Sequence, residues 1–236
     1  MEINVIIELS GPPGAGKSTI VKMLFEGLAK SSQKAMSPIQ AEQALFGESK
    51  LRTAFQEFLY LVGLFVRSSP SLIALFSRHM FRKIPWNHKY WLLRWLLRTI
   101  AQSAMLRAKL GNEVIVFDEG PFHQAATFFT SGNETAGDRE IAKILQLVQA
   151  SDLLLIVSVP EERCLQRLEG RKLPYRLQGK SRHEKKQFLH NQAEAIRHGL
   201  NVAEGLGWNC VVVNNAQSLD TTRTEVEHIL ESLDLE

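Results

Sequence analysis

The string Gly11-Pro12-Pro13-Gly14-Ala15-Gly16-Lys17-Ser18 constrains this chain more than any other feature. It has the spacing G-x-x-x-x-G-K-[ST]. The β-branched run of residues 3–9 precedes it, and a helical pattern from Lys17 to about Lys30 follows. Strand, glycine-rich turn and helix in that order are the context in which such a loop binds phosphate. The glycines let backbone N–H groups turn inward around an anion, and the helix N-terminus adds its partial positive charge. The motif thus assigns Gly11, Pro12, Pro13, Gly14, Ala15, Gly16, Lys17, Ser18 and the following Thr19 to a nucleotide site. Lys17 is expected to bridge the β- and γ-phosphates of ATP, and Ser18 to ligate Mg²⁺.

Further apolar runs at residues 113–117, 153–159 and 209–213 each lead into a turn and then a helical pattern, with a weaker candidate strand at 34–37. Strands alternating with helices predict a three-layer α/β/α fold around a mostly parallel five-stranded sheet. The 236 residues, 44% of them hydrophobic, fit one domain without a disulfide or metal staple. That domain, residues 1–236, is expected to carry a basic helical insert at about 50–110 and an arginine-bearing lid at about 167–185. Cys164 and Cys210 form no C-x-x-C pair and read as small buried residues. The opening Met-Glu-Ile-Asn-Val lacks the pattern of a secretion signal, so a cytoplasmic protein is expected.

The third strand, counting the weak one at 34–37, ends in Asp118-Glu119-Gly120-Pro121. Two carboxylates at the carboxyl end of a strand, beside a phosphate loop, sit where open α/β sheets bind ligands. One, with Asp118 preferred, is expected to help place Mg²⁺, and the other to orient an acceptor or take its proton. Which of the two does which stays open.

Charge is unevenly spread. Between Lys50 and Leu110 eleven basic residues face one acid, Glu57, so this window is +10 in a chain whose net charge is +3. It also holds Trp86, Trp91 and Trp95. The pattern from His88 to Leu110 is that of an amphipathic helix. A helical cap on the core, an anionic-substrate or nucleic-acid surface and a peripheral membrane contact are all open readings. As an acceptor-side element the insert favours an anionic acceptor. The run Phe58–Val66 is too short to span a bilayer.

A second basic group follows the fourth strand: Arg163 and Arg167 one helical turn apart, then Arg171, Arg176, Lys180 and Arg182. Arginines on a closing flap would neutralise charge on a phosphoryl group in transfer. His183, His190 and His198 are spaced too widely for a metal set and read as a solvated face.

With these residues in view the chain resembles the P-loop kinases of nucleosides and nucleotides, thymidylate kinase most closely, over most of residues 3–30 and 113–233. The specific part is Arg167-x-x-x-Arg171-x-x-x-x-Arg176, similar to the lid of that family. The resemblance implies that Arg167, Arg171 and Arg176 reach ATP phosphates, with Arg176 in the catalytic set beside Lys17, Asp118 and Glu119. It also implies that Asn215, in Val213-Asn214-Asn215-Ala216, lies along the adenine. The chain departs from thymidylate kinases at Asp118-Glu119, where they carry Asp-Arg, and at Met36-Ser37-Pro38-Ile39, where they carry Arg-Glu-Pro. The donor half is kept and the acceptor half is rebuilt.

The expected activity is Mg²⁺-dependent transfer of the ATP γ-phosphoryl group to a small-molecule acceptor: a nucleoside, a nucleotide or a sugar-type metabolite. An ATP-binding switch or a polynucleotide-end kinase using the basic insert is the alternative. Oligomeric state is left open, a homodimer included.

Overall fold

In the computed structural model the described residues are 5–47, 51–63, 86–128, 138–171 and 177–233, with 49, 77 and 173 singly. Lys50, Arg67, Arg78, Arg82 and Lys83 of the basic insert, and Arg176 of the expected lid, lie outside them.

The elements run β1 (Val5–Ser10), α1 (Lys17–Lys30), β2 (Ala35–Met36), α2 (Pro38–Phe46), α3 (51–63), α4 (Trp86–Lys109), β3 (Val114–Asp118), α5 (Pro121–Thr127), α6 (Asp138–Leu145), β4 (Leu153–Ser158), α7 (Glu161–Leu168), α8 (Arg182–Gly205), β5 (Cys210–Asn214) and α9 (Leu219–Ser232). The five strands form one all-parallel sheet in the order β2-β3-β1-β4-β5. Near-continuous burial of β1, β3 and β4 explains why their runs are mostly apolar, since a parallel sheet is covered on both faces.

Alternation along the strands divides the core. Ile7, Leu9, Val114, Val116, Leu155 and Val157 pack against α1, α7 and α9. Leu154 and Ile156 face α4, α5, α6 and α8, while Ile6, Ile115 and Phe117 pack with α2 and the end of α4. Helix boundaries follow local chemistry. Ser37 and Ser181 each form a reciprocal capping box, with Gln40 and Glu184 respectively, satisfying N-terminal donors of α2 and α8. In α4, Leu92 and Leu96 are buried while Trp91 and Trp95 remain about half exposed (49% and 44%), so the tryptophans are not its core stripe. Among the described residues no helix is long and apolar enough to cross a membrane. Cys164 is buried and Cys210 half-buried, both as free thiols.

Candidate active site at the carboxyl ends of β1 and β3

β1 and β3 are direct neighbours with Leu9 opposite Asp118, so the loop that leaves β1 and the carboxylates that end β3 emerge side by side. Gly14 and Gly16 of the loop have φ of +84° and +92°. A Cβ on Gly14 would meet the Cys164 carbonyl oxygen at 2.5 Å, and one on Gly16 would meet Asn215 Nδ2 at 2.2 Å. Both positions therefore require glycine for conformation and for space. Ala15 N–H closes the turn on the Pro12 carbonyl at 3.1 Å, and Thr19, exposed in the first turn of α1, donates its N–H to the Gly16 carbonyl at 3.0 Å.

Lys17 is buried and folds back on its own loop. Its Nζ donates to the Gly11 carbonyl at 2.7 Å and to that of Pro12 at 3.3 Å, and lies 3.0 Å from Glu119 Oε1. Ser18, one residue on, donates from Oγ to Asp118 Oδ2 at 3.2 Å. The motif serine and lysine thus each meet one member of the carboxylate pair. Desolvation raises the Asp118 carboxyl above its ordinary range. Lys17 opposes that shift, Glu119 adds to it, and the Ser18 hydroxyl opposes it. Glu119 holds φ of +96°, a conformation rarely adopted by a residue with a Cβ, while its N–H bonds the Leu9 carbonyl at 3.2 Å.

Behind this pair lies a polar layer that sequence reasoning did not single out. Glu8, fully buried on β1, accepts from the His123 N–H at 3.0 Å and from Ser151 Oγ at 3.1 Å. The packing is close: a Cβ on Gly120 would meet the Glu8 carboxyl carbon at 2.7 Å. Burial raises the Glu8 carboxyl to about 7, against the lowering effect of the His123, Phe122 and Gly120 N–H groups at the start of α5 and of Ser151. The His123 ring stands between Ser10 Oγ at 3.0 Å from Nδ1 and Glu119 Oε1 at 3.8 Å from Nε2. The available signal was Glu8 itself, an acid inside an otherwise apolar buried strand.

Arg167 lies under the loop. Its guanidinium donates to the carbonyls of Ala15 at 3.0 Å, Gly14 at 3.4 Å and Asn215 at 3.0 Å. Asn215 is itself buried and donates from Nδ2 to the Ala15 carbonyl at 2.7 Å, while its Oδ1 is 3.5 Å from Thr222 Oγ1. Arg163 adds a bond to the Ala216 carbonyl, so α7 and the turn after β5 are fastened together beneath the phosphate loop. Turning the Gly14 and Ala15 carbonyls outward toward Arg167 and Asn215 satisfies them, which suits a loop whose N–H groups line the other side. Arg171 is exposed just past α7. The structure therefore brings together Gly11–Thr19, Asp118, Glu119, Arg167 and Asn215 and leaves Arg171 on the surface. His190 pairs with Glu161 at 2.6 Å rather than facing a ligand.

A metal fits one corner of this arrangement. Ser18 Oγ and Asp118 Oδ2 are two oxygen donors at the mouth of the loop, and Mg²⁺ needs few protein ligands because it keeps waters and phosphate oxygens. Among the described residues there is no cluster of three or more His, Cys, Asp or Glu able to hold a metal by itself.

On the side of β3 away from β4, a cavity of about 980 Å³ opens between α2, α3 and α4. It carries Glu42, Glu57, Tyr90, Arg94 and Arg98 among apolar walls.

No known family profile matches the chain, and no curated protein matches it in sequence. Solved structures do. Deoxyadenosine kinase from M. mycoides with products dCMP and a flexible dCDP bound is 14% identical, covering 97% of this chain and 100% of its own, with a TM-score of 0.54. The same enzyme with bound dATP gives 14%, the same coverage and 0.53. With bound dCTP it gives 13%, again the same coverage, and 0.52. At such identity the likeness is one of architecture: the chain has the α/β fold of the P-loop kinases.

Proposed function

We propose that the chain is an ATP- and Mg²⁺-dependent phosphotransferase of the nucleoside and nucleotide kinase type, acting on a small-molecule acceptor. The observation that carries this reading is the pairing of Lys17 with Glu119 and of Ser18 with Asp118 at the mouth of one glycine-rich loop. The fold shared with deoxyadenosine kinases supports it.

In this reading the loop N–H groups hold the donor phosphates. Lys17 exchanges Glu119 for the β- and γ-oxygens, and Ser18 with Asp118 holds Mg²⁺, which neutralises charge on the phosphates. Freed of Lys17, Glu119 accepts the proton of the acceptor hydroxyl as its oxygen bonds to the γ-phosphorus and the bond to the β-phosphate oxygen breaks. Arg167 holds the loop in shape from below. Arg171 and Arg176 supply lid charge, and Asn215 lines the adenine side. The domain is one unit, 1–236, and α2, α3 and α4 form its acceptor side.

The direct test is ADP release from Mg·ATP over a panel of nucleosides, nucleoside monophosphates, sugars and sugar phosphates, each hit checked by mass spectrometry. A phosphorylated product establishes the kinase. A flat panel with tight ATP binding removes it and favours an ATP-binding interaction module. That second reading draws on the exposed Trp86, Tyr90, Trp91 and Trp95 beside Arg94 on α4.

A further inference from the structure

The cavity between α2, α3 and α4 is large enough for a ring-bearing small molecule, and Ile39, Phe58, Leu61, Leu93 and Leu97 give it apolar walls. Its polar groups are not arranged for an anion. On α2, Glu42 Oε1 accepts from Gln102 Nε2 of α4 at 2.6 Å. On α3, Glu57 Oε1 accepts from Arg98 Nε of α4 at 3.2 Å, and Arg98 Nη2 stands 4.0 Å from Glu42 Oε2. The Glu42 and Glu57 carboxyls, from two different helices, converge on that guanidinium. One guanidinium therefore serves two carboxyls. Arg94, the second cation on the wall, is stacked over Trp91 at 5.2 Å. With the Tyr90 phenol these are the titratable groups lining the cavity among the described residues.

Two carboxyls against one guanidinium leave one negative charge without a cation of its own. Burial raises the Glu42 carboxyl; Gln102 opposes the shift, the Glu57 charge adds to it, and Arg98 opposes it. A ligand ammonium supplies the missing cation and gains charge-assisted hydrogen bonds to the two carboxyls. A phosphate group brings more negative charge to the same place. We propose that this cavity takes a ring-bearing amine whose ammonium sits between Glu42 and Glu57, and that it discriminates against phosphorylated ligands. That this amine is the phosphoryl acceptor rests on the reading given above; its recognition does not. The basic composition of the insert pointed to an anionic acceptor, but among the described residues the cations that reach the cavity are already engaged by Glu57 and Trp91.

The test is calorimetric titration of the full chain with matched probes: phenylalaninol, its deaminated analogue 3-phenyl-1-propanol, and 3-phenylpropyl phosphate. Benzylamine and tyramine serve as further amines. Phenylalaninol is expected to bind about tenfold or more tighter than the alcohol and the phosphate ester, because a desolvated charged hydrogen bond is at stake. Its binding should tighten from mildly acidic to neutral pH, because burial raises the Glu42 carboxyl and the ammonium pairs with its charged form. Glu57→Gln and Glu42→Gln, folded by circular dichroism, should each cut the amine preference to about threefold or less. Equal binding of the alcohol or the phosphate ester, or no binding by any of the amines, overturns the inference. Phosphate transfer from labelled ATP separates the two claims. Amine-selective binding without transfer to phenylalaninol or any other panel acceptor removes the kinase reading alone. Transfer to acceptors that carry no amine, together with binding that does not favour the amines, removes the cavity inference alone.

Discussion

Lys17 Nζ and Glu119 Oε1 are 3.0 Å apart, and the lysine that a phosphate would attract is held by a carboxylate from the neighbouring strand end. Glu119 reaches it from a backbone with φ of +96°. In the proposed function nucleotide and Glu119 compete for one ammonium, which makes phosphate binding and release of the carboxylate a single exchange.

Replacing Lys17 with Ala should lower phosphoryl transfer by about a hundredfold to a thousandfold, the usual cost of losing one donor aimed at developing charge. The melting temperature should change little, because the side chain bonds only its own loop and Glu119. Steady-state ADP release and a thermal melt on the same preparation decide it; full activity would end the kinase assignment.

Glu119→Ala and Glu119→Gly both remove the carboxylate and should both lose transfer. They should differ in stability. Alanine keeps the unfavourable positive φ and glycine does not, so the glycine variant is expected to be the more stable of the two by up to about 1 kcal/mol after its own unfolded-state entropy is counted. Urea melts of the pair check this without any activity assay.

Arg167→Ala removes a donor from three carbonyl oxygens, two of them in the phosphate loop, and leaves that of Ala15 with Asn215 Nδ2. Loss of such bonds should cost about 1–3 kcal/mol, shared between stability and nucleotide affinity. The expected result is an ATP dissociation constant raised by about tenfold, with Arg167→Lys recovering only part, because an ammonium cannot span the three carbonyls as a fork does. An unchanged ATP affinity would assign Arg167 to fold stability alone.

Glu8 gives a pH dependence of stability. Its carboxyl is at about 7 when folded and 4.5 in its ordinary state, so between those values the unfolded chain has given up a proton that the folded chain keeps. Stability from this group is full below 4.5, falls as pH rises, and levels off above about 7, a loss of roughly 3 kcal/mol. Glu8→Gln, which keeps an acceptor for the His123 N–H, should flatten the fall between those limits. Denaturation midpoints across that range for both proteins provide the measurement.

What could be read from the sequence was whatever is encoded locally. β1, the loop and α1 lie within a short stretch, and the helix from Lys17 to Lys30 has the expected ends. β2 was weak in the sequence because it is only two residues long, held at the sheet edge by β3. Asp118 and Glu119 were legible by position, at the end of an apolar run, but their partners were not: which carboxylate meets Lys17 depends on the unusual backbone at Glu119. The helix spacing put Arg163 and Arg167 on one face, yet periodicity says nothing about whether that face looks toward a nucleotide or beneath the loop. The Glu42, Glu57, Arg98 and Gln102 cluster joins three helices and has no spacing signature. Its residues look like surface charges until α2, α3 and α4 are brought together.

The bond from Asn215 to the Ala15 carbonyl spans 200 residues of chain, and that from Ser18 to Asp118 spans 100. β1 leaves the ribosome before the strands that flank it and ends in the middle of the sheet between them. Contacts of such long range are slow to form and leave their partners waiting. A nascent chain that stops short of Asn215 already contains every letter of the phosphate motif and lacks one of the fastenings that set its shape. The loop is therefore written well before the residue that completes it, and its final shape waits on the last strand.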